Sequence, residues 1–245
     1  MNKLTKLNPE KIIESVDILE KRISDRFPNS GLRKVCCELL VLSKNTSKNV
    51  TYISKPNIPL RIFSCAIILI GIGGLIFSFS LIGIELQSNS LENVLNVLQG
   101  VFNNLILIGG AFLFLITMES RIKRKRALKS LHELRVISHV IDMHQLTKDP
   151  YMHNSVQSTQ HSPKRLYTKF ELQRYLDYCS ESSALIGKVA ALYAQSLPDE
   201  IIVNSVNEIE VLTTGLSRKI WQKLSILENL GLEHLNNSEE LSEHD

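Results

Sequence analysis

Charge is missing from two long stretches of this 245-residue chain: none occurs from Ile62 to Ile84, and none from Asn93 to Met118. A helix bathed in water on one side needs polar residues at regular intervals, so neither gap suits one. The first gap holds 23 residues, 14 of them Ile, Leu or Phe. A bilayer core takes about 20 helical residues, and this many central aliphatic and Phe side chains favour insertion by about 4–8 kcal/mol. In the second gap the wholly apolar part, Leu105 to Ile116, is too short to span by itself. The basic cluster Arg121, Lys123, Arg124, Lys125 and Arg126 fixes its inner edge, because those groups stay at the headgroups. Counting back about 20 residues places the outer end near Leu98. The expected spans are 62–84 and 98–118.

Basic residues are missing from the connection between the spans, Glu85 to Leu98, which carries Glu85 and Glu92. By contrast, the first 61 residues hold twelve Lys and Arg against six acids, and residues 119–135 hold seven against two. Lys and Arg flank both spans on one side only, which predicts two cytoplasmic termini, with a bacterial inner membrane as the expected location. The first 58 residues contain no apolar run suited to a signal peptide, so the first span is expected to be its own uncleaved insertion signal.

Cysteine is scarce as well. Cys36, Cys37, Cys65 and Cys179 avoid the external loop and have no partnering His at metal-ligand spacing, so Cys36 and Cys37 read as core filler. A Gly-rich phosphate loop, a nucleophile elbow, a zinc-binding set and paired catalytic carboxylates are all absent. No catalytic residue, metal or cofactor is expected.

No run alternates with period two for long enough to argue a sheet, and the fold class predicted is all-α: a two-span helical hairpin with a cytoplasmic helical bundle built from N- and C-terminal segments. Asn8 and Pro9 open a helix over 9–26 with Ile12, Val16, Leu19 and Ile23 on one face. After the Pro28–Gly31 turn comes a helix over 31–45, and polar residues 44–58 read as a link to the membrane. No breaker interrupts 119–148, which predicts one helix of about 50 residues running out of the second span. The stretch 149–166 reads as a flexible loop. Thr168 and Glu171 form a T-x-x-E capping box opening a helix to Leu197, and a last helix over 199–231 carries an apolar stripe from Ile202 to Leu227. The tail from Glu228 has six acids and no Lys or Arg, and is expected to be frayed. The domains are then 1–58, 59–120, 121–231 and an acidic tail, 232–245. The two N-terminal helices either join the bundle or form a small unit of their own.

Three patterns bear on function. Ser64, Gly71, Ser78 and Glu85 recur every seven residues in the first span, and Asn96, Asn103, Gly110 and Thr117 in the second. In an antiparallel hairpin these match in depth, Gly71 against Gly110, giving a left-handed seam that either holds the hairpin together or, in an oligomer, lines a water path. On the helix beyond the second span, His132, Arg135, His139 and Asp142 share one face. That face suits an anionic ligand or pH sensing, or is a polar stripe paired with neighbouring helices. Finally, Arg126 and His132 have the R-x5-H spacing of the HEPN ribonucleases, which they resemble in that respect and in being helical. The basic cluster is explained by topology, so nucleic acid is not expected as a partner.

In layout the chain is similar to two-span effectors of bacterial defence systems, departing from them in the 60 or so residues before the first span. That resemblance implies a membrane effector or sensor whose cytoplasmic domain controls a homo-oligomeric assembly in the bilayer, perturbing membrane integrity in defence or stress. The alternatives are a non-catalytic scaffold binding a cytoplasmic protein and a membrane-tethered HEPN-like ribonuclease.

Overall fold

The computed structural model describes residues 6–85, 91–150, 161 and 167–242. All regular structure among them is helical: α1 (Pro9–Arg26), α2 (Gly31–Ser54), α3 (Ile58–Glu85), α4 (Leu91–Leu146), α5 (Lys169–Ser196) and α6 (Glu200–Ser242). Contacts divide the chain into two compact units, Met1–Ser54 with Arg126–Asp245, and Lys55–Lys125.

Local chemistry sets the helix ends. The Asn8 side chain accepts from the Glu10 N–H at 2.9 Å, with Pro9 in the first turn of α1, and such a cap is worth about 1 kcal/mol. Ser30 opens α2 by accepting from the Arg33 N–H at 3.1 Å while donating to the Phe27 carbonyl at 2.9 Å. The capping box of α5 closes as expected: the Glu171 N–H donates to Thr168 Oγ1 at 3.2 Å and the Thr168 N–H to the Glu171 carboxylate at 2.8 Å.

In the first unit α1, α2, the last five turns or so of α4, α5 and α6 share one core. The N-terminal helices are therefore part of the bundle and form no unit of their own. Their stripe Ile12, Val16, Leu19, Ile23, Leu32, Cys36 and Leu39 meets Leu176, Cys179 and Ile186 of α5 in one apolar cluster, all buried. At one end Phe27 sets its ring edge-on to Tyr167 and Tyr175, both at 5.4 Å between centroids, the geometry aromatic quadrupoles prefer.

Two helices are longer than their polar sequences suggest. The expected link 44–58 is helical to Ser54, because Thr46, Val50 and Ile53 continue the buried stripe of α2. Thr46 is fully buried and accepts from the Tyr193 hydroxyl at 3.3 Å, which satisfies a group that made the segment look like a linker. The tail expected to fray from Glu228 is likewise helical to Ser242, and residues 243–245 lie outside the described ones. Leucines still recur through Leu241, and Gly231 alone does not stop a helix. The loop expected over 149–166 falls, apart from Asp149, Pro150 and His161, outside the described residues.

Gly31 opens α2 directly against α4: a Cβ there would overlap the His144 imidazole. Burial, and then the neighbouring Lys148, hold His144 below the ordinary imidazole value of 6.5. The folded protein thus takes up this proton less readily than the unfolded chain. The bundle should be at full stability above pH 6.5 and lose some as pH falls through that value toward the depressed one. His144→Asn should flatten the dependence of melting temperature on pH between about 7 and 5.5, followed by circular dichroism. Gly31→Ala should destabilise wild type more than it destabilises a His144→Ala background.

Candidate functional site

The second unit joins α3 to the first part of α4, and its best-defined site is a carboxylate. Glu119 accepts from the Asn57 N–H at 3.0 Å, Arg61 Nε at 2.9 Å and Lys123 Nζ at 2.8 Å. Lys123 also donates to the Lys55 carbonyl at 2.7 Å. A side chain of α4 thereby caps the N-terminus of α3, where unpaired N–H groups and the helix dipole favour negative charge. Lys123, with Arg61 and the Asn57 amide, pulls the Glu119 carboxyl down to about 2. The sequence offered only a weak signal for it: one acid at the junction of an uncharged run and a basic cluster.

Along the expected seam, the hydroxyls turn inward on their own helices. Ser64 donates to the Leu60 carbonyl at 2.8 Å, and Thr117 to those of Leu113 and Phe114, each at 3.0 Å. Gly71 faces Ile108: a Cβ on it would lie 3.6 Å from that side chain, whereas one on Gly110 would meet nothing within 4 Å. The glycine-to-glycine contact is thus replaced by glycine against isoleucine. Asn103 is exposed, and the side chains of Ser78, Glu85 and Asn96 lie outside the described ones.

The polar face of α4 resolves into separate partners. Arg135 pairs with Glu208 of α6, and Asp142 accepts from the Gln145 amide at 2.7 Å. His139 is exposed, and His132 borders an open groove of about 490 Å³ whose floor includes Val41, Leu42, Val136 and Ile137. Arg135 thus has a partner on a neighbouring helix, while Asp142 bonds within α4. An exposed pair of this kind contributes at most about 1 kcal/mol, so Arg135→Ala should leave folding nearly intact.

Arg126 and His132 stand on the same helix, α4, and both are exposed. Arg126 lies 4.2 Å from the Tyr52 ring centroid, while six helical residues put His132 about 9 Å further along α4 and about 120° around it. Of the remaining basic cluster, Arg121 and Lys125 are exposed and Arg124 is half-buried. Burial pushes the Cys36 and Cys179 thiols up to about 12, which leaves neither a thiolate at neutral pH. Among the described residues no group of three His, Cys, Asp or Glu could hold a metal ion.

Glu119→Gln removes the charge shared by Arg61 and Lys123 and should destabilise the α3–α4 contact by about 1.5–3 kcal/mol. Because the folded carboxyl sits at about 2, below its ordinary value of 4.5, this contribution is complete at neutral pH. It fades only as pH falls from 4.5 through about 2. Urea titration in detergent at neutral pH reads the difference. In the same assay Gly71→Leu, which must displace Ile108, should cost more than Gly110→Leu, which meets open space within the chain.

Comparison with protein-family models, curated proteins and solved structures finds no match to this chain.

Proposed function

We propose that this chain is a two-span protein of a bacterial inner membrane, with both termini in the cytoplasm, that acts as an effector or sensor through a homo-oligomeric assembly in the bilayer in defence or stress. Two helices are long and apolar enough to cross a membrane. The core that α1 and α2 share with α5 and α6 supports a reading in which the segments on either side of the crossing region lie on the same side of a bilayer. An even number of crossings satisfies that, and the Lys/Arg asymmetry assigns the side. Helix α4 is unbroken from Leu91 to Leu146, so the same helix belongs to the spans and to the bundle that receives the signal.

The observation that carries the oligomeric reading is Asn103. Its amide, and that of Asn104, are exposed on a helix whose next residues, Leu105, Ile106 and Leu107, are exposed as well. Amides on a lipid-facing surface call for a partner, which a second copy or an enclosed water path supplies.

A reporter enzyme active only outside the cytoplasm should work when fused after Ser90 and fail when fused after Asp245. Overexpressed wild type should depolarise cells, and Asn103→Leu should abolish the leak while the mass of the detergent-solubilised assembly is unchanged. An assembly that holds together yet never depolarises cells would remove the conducting role and leave a membrane scaffold for a cytoplasmic partner. A monomer in mild detergent would remove both the assembly and the water path.

A further inference from the structure

Where α1 meets α5 a cavity of about 640 Å³ opens on the bundle surface, lined by Arg22, Asp25, Arg26, Phe170, Arg174 and Tyr178. All three guanidinium groups lie over aromatic rings. Arg22 is 5.0 Å from the Tyr178 centroid, and Arg26 and Arg174 are 5.1 and 5.7 Å from that of Phe170. A guanidinium held near a ring spends no N–H group on that contact, so those not bonded elsewhere stay open for donation.

Two of these groups are steadied by carboxylates outside the lining. Arg22 donates to both oxygens of Glu181, at 2.6 and 3.1 Å, and Arg174 lies 3.4 Å from Asp177. The nearby Glu171 is engaged in the capping box with Thr168. Arg26 has no ion pair among the described residues, and its guanidinium rests on Phe170. The core does not require that ring, which is 55 % exposed. Arg26 therefore brings the unpaired guanidinium to the cavity, Arg22 and Arg174 add only the N–H groups that Glu181 and Asp177 leave over, and Asp25 is the carboxylate in the lining.

We propose that this cavity binds a phosphate monoester carried by a small organic molecule. Guanidinium edges match the oxygens of a tetrahedral oxyanion and bind it by paired, charge-assisted hydrogen bonds. The volume exceeds what bare phosphate needs and falls within the roughly 300–1,000 Å³ of small-molecule sites. The ester comes either from a soluble metabolite or from a lipid headgroup of the phosphatidate type. The inference is independent of membrane conduction and holds for a non-conducting scaffold equally.

The test uses the full chain in neutral detergent, titrated calorimetrically with adenosine monophosphate, glycerol phosphate and inorganic phosphate. In parallel, its binding to nanodiscs with and without phosphatidate is measured. Saturable binding of a soluble ester is expected, weakened about ten- to hundredfold by Arg26→Gln with the melting temperature unchanged. Asp25→Asn should tighten binding, a gain that no folding defect imitates. Binding confined to phosphatidate discs, with the same response to both variants, keeps the phosphate site and assigns its source to lipid. Absence of binding to every probe at millimolar concentration, or binding indifferent to both variants, overturns the proposal.

Discussion

Helix α5 cannot stand in water, and the bundle is organised by the need to cover it. Its buried positions, from Leu172 through Tyr193, include Leu176, Cys179, Ile186, Val189, Ala190 and Tyr193, and together with Tyr178, Ser182 and Leu192 they wrap more than half the helix circumference. A single neighbour covers about a third of a helix, so α5 needs several. It packs against α1, α2 and α6. The first two come from the beginning of the chain, so the bundle closes only when segments more than 130 residues apart have met. At about 1.5–3 kcal/mol for each large apolar side chain taken out of water, this burial outweighs the cost of closing so long a loop, which grows only logarithmically with length.

The same device satisfies polar groups in both units. Ser43, Ser138, Ser182, Ser183 and Thr213 are buried in the bundle, and each donates its hydroxyl to the carbonyl four residues earlier. Ser64 and Thr117 do so in the second unit. A hydroxyl satisfied within its own turn places no demand on a neighbouring helix. That is why Ser64 and Thr117, among the described residues at seven-residue spacing, make no hydrogen bond across a seam. Glu119 does bond between helices, a full charge that takes Asn57 and Arg61 from the start of α3 and Lys123 from its own helix.

What the sequence made legible was local chemistry. Asn8, Pro9, Thr168 and Glu171 act through neighbours two to four residues away, and the helices they start lie within a residue or two of the expected ends. The unbroken helix after the second apolar run was readable from the lack of any breaker. Several of the misses share one cause, tertiary contact overriding local polarity. Thr46 is held by Tyr193, 147 residues away, which carries α2 beyond the expected linker boundary. Arg135 likewise pairs with Glu208, 73 residues away. Glu119 finds Asn57 and Arg61 about 60 residues back. The arginine–aromatic cavity escaped for the same reason, since Arg22 and Arg26 acquire meaning only beside Phe170, Arg174 and Tyr178.

The contrast between the two units argues for two solvents. In the bundle, Leu39, Leu134, Ile141 and Ile186 are fully buried, and large exposed apolar residues such as Val211 and Trp221 are separated along α6. In α3 and the first part of α4 the same residue types lie open along much of the described length: Leu69 at 68 %, Ile70 at 75 %, Ile106 at 70 % and Leu107 at 69 %. Soluble monomers rarely expose apolar patches beyond a few hundred Å², and one side of a water-facing helix would alternate with charge, which these stretches lack. A hydrocarbon surrounding removes the difficulty for the aliphatic side chains and creates a new one for Asn103 and Asn104, whose amides are costly to leave facing lipid. The surface that suits a bilayer is therefore incomplete at that depth, which is where the proposed assembly would bring copies of α4 into contact.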